Sequence, residues 1–329
     1  MRAASATRTK PPRLSRRVGM VLLRAAISGG LLALLLAWFS STRILDVLRQ
    51  IPLSVGGLVV VLFLLGHVFS AMKWRMLVSG AGAPIGGWVA LRAHAAGLFA
   101  NLCLPSIIGG DVVRAGLAVR AAGRVEAVAL GTLADRLIDT TALVGIAGVA
   151  AVLSPELARG RAGTALVAAG ILLLLAVLGG VAVTRWVPAG RLPERLRQPA
   201  ARVRAALDAL ARVPLWTGTA LGVSVFVQGA FVGLNVALAR GIGIDLPFLA
   251  WLLAWPLAKL VALLPISLGG IGVREVALAA FLSPFGIEPA LAVAQSLAWE
   301  AVLVTGGSVA GVAALVLGGT LLRHHEGVE

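Results

Sequence analysis

The chain has 329 residues, of which 59% are hydrophobic and 13% charged, with a mean hydropathy of +0.97. Apolar runs of about 20 residues recur along it, enough to span roughly 30 Å of hydrocarbon as helices, which excludes a soluble globular class and argues against a barrel of short alternating strands. The single cysteine, Cys103, excludes an intrachain disulfide, and the net charge of +15 reads as basic loops facing anionic headgroups rather than as a nucleic-acid surface.

Residues 1–18 form a basic arm with Arg2, Arg8, Lys10, Arg13, Arg16 and Arg17 and no acid. The run at 18–39 is too long for a signal-peptide core and is expected to be the first spanning helix. Arg43, Asp46 and Arg49 mark a short outer loop. Residues 51–71 return inward to Lys73, Trp74 and Arg75, residue types that anchor a helix end at headgroup level. His67, inside that helix, reads as an interfacial or satisfied polar residue rather than a ligand. Residues 88–104 are apolar apart from Arg92, His94 and Asn101 and then break at Pro105 and Gly109-Gly110. This segment is expected to enter the membrane, turn and go back, which is tolerable only where protein or a water-filled cavity covers the broken backbone.

A long helix follows at 125–153, carrying Asp135, Arg136 and Asp139. The two acids are four apart and share a face. Ionisable groups at such depth pair or face a polar cavity, and a self-neutralising cluster that only fixes packing is the alternative. Residues 154–161 are an expected outer loop, and 164–184 cross back to a basic segment. Within 188–212 apolar residues fall near helical spacing between arginines, with Pro199 interrupting, as in an amphipathic helix on the inner surface. Residues 215–239 cross outward with Gln228 and Asn235 inside. Residues 248–264 form a second broken segment, with Pro256 and Lys259 inside, Pro265 and Gly269-Gly270 at its end, and Arg274-Glu275 next. Residues 289–322 cross inward with Gln295 and Glu300, and 323–329 are a tail.

The two breaks match each other. Residues 104–114 read LPSIIGGDVVR and residues 264–274 read LPISLGGIGVR, both fitting L-P-x3-G-G-x3-R. Broken hydrophobic segments at corresponding places in two halves are a strong pointer to a transporter's binding site. The proposed inner segments carry 16 Lys and Arg against five in the outer loops, as six crossings with both termini inside require. The expected fold is therefore an all-α polytopic membrane protein with about six spanning helices and two re-entrant hairpins. Residues 19–322 form one transmembrane domain, with inverted repeat halves at about 51–153 and 214–322.

Arg114, Arg136 and Arg274 offer bidentate forks that suit a phosphate, though arginines snorkelling to an interface are an equal reading. Gly109-Gly110 and Gly269-Gly270 permit close backbone approach and amide donors at a helix start. Asp111, Asp139 and Glu275 could hold the arginines or take protons. Enzyme templates are missing: there is no H-E-x-x-H, G-x-S-x-G or P-loop lysine motif, and no segment suggests a cofactor or metal.

The series KWRMLVSGAG, NLCLPSIIGGDVVRA, DRLID and LLPISLGGIGVRE resembles the flippase-like membrane domain of lysylphosphatidylglycerol synthases, from about residue 60 to 322. The resemblance implies a multi-pass helical domain associated with moving lipid between leaflets of a bacterial plasma membrane. By position it carries over to Trp74-Arg75, Asn101, Pro105, Gly109-Gly110-Asp111, Arg114, Arg136 and Asp139, and then to Pro265, Gly269-Gly270, Gly272, Arg274 and Glu275. The chain departs from the family at Asp135, where Glu is common, and at Trp299-Glu300, where a basic residue is common. It does not imply lysyl transfer. Three readings follow: a translocase for an anionic lipid, a non-transporting subunit presenting lipid to a glycosyl- or aminoacyl-transferase, and a phosphotransferase using Asp135 and Asp139.

Overall fold

The computed structural model describes residues 46–104, 109–153, 191–262 and 272–325, with scattered positions from 164 to 188 and side chains as far as residue 316. The expected first helix at 18–39, the loop at 154–161, and Pro105, Pro265, Gly269 and Gly270 lie outside the described residues. Where the stretch 164–184 is described it is helical.

Long apolar runs satisfy their backbone groups internally by forming helices, the only open-ended solution available in hydrocarbon. The helices are α1 (Leu53–Gly80), α2 (Gly87–Cys103), α3 (Gly109–Ala122), α4 (Val125–Leu153), α5 (Glu194–Arg212), α6 (Pro214–Gly241), α7 (Phe248–Ala262), α8 (Val273–Leu282) and α9 (Pro289–His325). Among the described residues there is no strand. Among the described residues, four helices, α1, α4, α6 and α9, are long and apolar enough to cross a membrane. At 1.5 Å per residue, the 28 residues of α1 reach roughly 42 Å. The chain is an all-α multi-pass membrane protein.

Packing pairs the two halves reciprocally. Helix α1 runs antiparallel to α6: Ile51 lies against Gly241, Gly66 against Phe231 and Gly80 against Trp216. Helix α2 packs on α9, with Phe99 beside Gly311 and Leu102 beside Gly307. In the same way α7 packs on α4, with Leu260 beside Leu143 and Val144, and Leu253 and Leu257 beside Ala147 and Ala150. Each broken segment folds back on itself, α3 against α2 and α8 against α7. Corresponding helices that run antiparallel, with partners exchanged between halves, are what an inverted repeat requires.

Two expectations are corrected here. Helix α1 does not end near residue 71 but continues to Gly80, and Lys73 and Trp74 within it are buried against other helices. Burial is tolerated because both find partners on α4, and the Trp74 Nε1 donates to Thr132 Oγ1 at 3.1 Å. Arg75 donates instead to the Ile85 carbonyl at 2.9 Å and Arg124 to the Gly82 carbonyl at 2.7 Å, fixing the α1–α2 turn where Gly82 has φ +100°. The second correction is α5, which runs unbroken through Pro199. The proline removes one intrahelical donor without ending the helix. Helix α5 is otherwise the expected amphipathic element. Arg204 ties it to the carbonyls of Thr184 (2.6 Å) and Val187 (2.8 Å).

Candidate functional site

Among the described residues, the buried ion pairs between the helices form two clusters, one per half. In the first, Asp135 sits on the buried face of α4, 2% exposed, between Lys73 of α1 (2.9 Å) and Arg114 of α3 (2.8 Å). Lys73 also pairs with Asp139 and donates to Ser224 of α6 at 2.8 Å. Ser224 in turn donates to Asp139 at 2.6 Å. Asp111 of α3 accepts a two-pronged fork from Arg136, Nε at 2.7 Å and Nη2 at 2.6 Å, and lies 3.1 Å from Arg114. The Arg114 guanidinium stands over the Trp74 ring at 4.9 Å. Charged groups taken from water demand partners of opposite sign, and here three cations and three carboxylates from α1, α3 and α4 supply one another.

The second cluster is smaller. Arg274 at the start of α8 lies 2.9 Å from Glu275 and 2.5 Å from Glu300 of α9. Its Nε is 3.3 Å from Ser296. Glu275 also accepts the backbone N–H of Gly272 at 2.6 Å, capping α8 from its first turn, as a carboxylate at a helix N-terminus should. Gly272 has φ +82°, a conformation that favours glycine.

Between the clusters lies a cavity of about 560 Å³ walled by α1, α2, α3, α4, α6, α7 and α9. Its lining includes Asp111, Arg136, Asp139 and Glu300 and a group of packed rings, Phe63, Phe231, Trp255 and Trp299, with ring centroids 5.3–6.0 Å apart. His67 and His94 join α1 to α2 across its floor, Nδ1 to Nε2 at 3.1 Å, so His67 is a satisfied polar residue.

Of the residues singled out from sequence, the fold brings Asn101, Gly110, Asp111, Arg114, Arg136 and Asp139 to this cavity. Arg274 and Glu275 lie behind Glu300 rather than on the wall. The alternative reading of snorkelling arginines does not fit two of them: the side chains of Arg114 and Arg274 are 6% and 9% exposed, against 43% for Arg136. Asp135 and Asp139 do not form a cluster with Arg136 on their own helix; each reaches Lys73 instead. The Gly110 amide does not stand open for an anion either, because it donates to Asn101 Oδ1 at 2.8 Å. Its missing side chain serves close approach: a Cβ there would lie 2.3 Å from the Gly97 carbonyl oxygen. Gly109 faces Leu104 in the same way, at 2.7 Å.

Sequence reasoning missed Lys73 as an ion-pair centre, Glu300 as the partner of Arg274, and the rings that line the cavity. A lysine two residues past the expected helix end gave no hint of burial. The signal for Glu300 was present, since a lone carboxylate within a spanning run demands a cation.

A family model described as Lysylphosphatidylglycerol synthase TM region matches residues 21–311, a span that contains both clusters and the cavity. No curated protein and no solved structure matches the chain.

Proposed function

The chain belongs to the lysylphosphatidylglycerol synthase TM-region family, and from that premise we propose that it is a translocase for a phospholipid or lipid-linked anionic headgroup in a bacterial plasma membrane. Both termini would face the cytoplasm. The observation that carries this reading is the cavity, walled by helices of both halves and lined by charged and by aromatic side chains. A headgroup fits such a space while its tails stay in lipid. The reciprocal packing of the halves supports the reading, because alternating access works by moving one repeat against the other. The buried clusters hold the hairpin starts, α3 and α8, onto α4 and α9, so that each hairpin moves with a spanning helix. Asp135 and Asp139 are committed to Lys73, which favours this reading over a phosphotransferase.

The test is transbilayer movement of labelled lipids in proteoliposomes, across phospholipids and polyprenyl phosphates, with empty vesicles as control. Movement of one headgroup class well above the control is expected. Folded protein that moves none of them would replace translocation with lipid presentation to a separate transferase, which predicts stable co-purification with that enzyme.

A further inference from the structure

Four buried side-chain atoms lack a hydrogen-bond partner among the described residues. Two of them, Arg114 Nε and Asp135 Oδ1, belong to the first ion cluster, where both residues have ion partners. The other two, Trp251 Nε1 of α7 and Gln295 Oε1 of α9, lie outside both clusters, on side chains that are 0% exposed. One atom can only donate and the other can only accept, and a buried polar group left alone is destabilising. The packing sets both at one level of the bundle. Gln228 of α6 meets Lys259 of α7 at 2.9 Å. One turn along α6, the Phe231 ring lies 6.0 Å from Trp299, and Trp299 lies 5.3 Å from Trp255. One turn further, Asn235 meets Gln295 at 2.7 Å. Advancing along α6 therefore moves back along α7 and α9 together. Trp251 and Gln295 each stand four residues before a member of the Trp255–Trp299 pair, on the same helix faces as those rings.

A chain of donors fixes the orientation of the Gln295 amide. The Phe231 carbonyl can only accept, so the Asn235 amide nitrogen faces it, at 2.8 Å. Asn235 Oδ1 then takes the Gln295 amide nitrogen, and Gln295 Oε1 is the end left over. Exchanging the two ends of either amide would set acceptor against acceptor. We infer that Trp251 Nε1 and Gln295 Oε1 hold one buried water molecule between them. The two atoms do not bond each other directly, and their chemistry selects the ligand. A cation suits the amide oxygen but is repelled by the indole N–H, and an anion meets the reverse. A neutral molecule that accepts from one and donates to the other satisfies both, and water is small enough to do so between two fully buried side chains. The water extends a ladder on α6, where Ser224 takes Lys73 of α1, Gln228 takes Lys259 of α7 and Asn235 takes Gln295 of α9. It ties α7 to α9 one turn beyond the Trp255–Trp299 contact that lines the cavity, whichever ligand the cavity carries.

The test is radiolytic hydroxyl labelling of the full chain in a neutral detergent, read by mass spectrometry. Radicals formed from a bound water oxidise the side chain that holds it, even where bulk solvent does not reach. Trp74 is the control, since it is equally buried but its Nε1 is already occupied by Thr132. Trp251 should be oxidised well above Trp74, and the oxygen it gains should be the heavy isotope after equilibration in heavy-oxygen water. Gln295→Leu removes the acceptor and should lose most of the Trp251 label while leaving Trp74 as it was. The Raman band that reports indole N–H hydrogen bonding, taken as wild type minus Trp251→Phe, should show Trp251 bonded. A bonded Trp251 that labels no more than Trp74 would mean a direct bond to protein and overturn the water. A Trp251 neither labelled nor bonded would overturn the site altogether. Strong labelling that Gln295→Leu leaves unchanged would give the water other partners and overturn the pairing. Labelling of the wild-type protein decides the presence of the water even if Gln295→Leu fails to fold.

Discussion

The two halves use the same hairpin arginine in different electrostatic settings. Arg114 and Arg274 occupy matching places in the repeated motif, and each reaches a carboxylate on the long helix that follows its hairpin, Asp135 on α4 and Glu300 on α9. The first-half arginine sits in a cluster where Asp135 serves two cations at once. The second-half arginine has two carboxylates to itself. In one half the acid is the shared resource, and in the other it is the base. Symmetry of backbone thus does not impose symmetry of charge, and the departures from symmetry are where the halves can differ in strength and in mobility.

The largest effect should come from removing the shared acid. Asp135→Asn leaves Lys73 and Arg114 buried without that carboxylate, and breaking a buried pair costs about 3–5 kcal/mol. Glu275→Gln leaves Arg274 with Glu300 and should cost clearly less. Thermal unfolding of the two purified variants side by side checks the order, and equal losses would refute the asymmetry.

A smaller contrast concerns the first hairpin. Gly110→Ala places a methyl group against the Gly97 carbonyl and the Asn101 side chain, and overpacking of this kind costs about 1–3 kcal/mol. Gly116→Ala lies on the same helix with nothing within 4 Å and should be neutral or stabilising by up to about 1 kcal/mol. Unfolding midpoints of the pair would show whether the close approach of α2 and α3 holds the hairpin.

The smallest effect belongs to the surface. Asp208 pairs with Arg185 where both side chains are well exposed, and such pairs contribute about 0–1 kcal/mol. Asp208→Ala should leave the unfolding midpoint almost unchanged, with any loss fading in high salt. A large loss would mean that α5 is held to the spanning helices mainly by that pair rather than by Arg204.

By itself the sequence determined the helical membrane class, the two broken segments and their correspondence, the amphipathic α5, and the charged residues that had to find partners. Those features are local: hydropathy, breakers and helical spacing act within a few turns of the chain. It did not determine which partner each charge takes. Lys73 meets Asp139 and Ser224, 66 and 151 residues away, and Gln295 meets Asn235 across 60. The burial of Lys73 was missed because a basic residue beside a tryptophan looks the same at a boundary as in a buried ion cluster. Only the tertiary structure decides these, because ion pairing in hydrocarbon depends on distances between helices, and those are set by side-chain packing along whole helix faces rather than by any spacing along the chain.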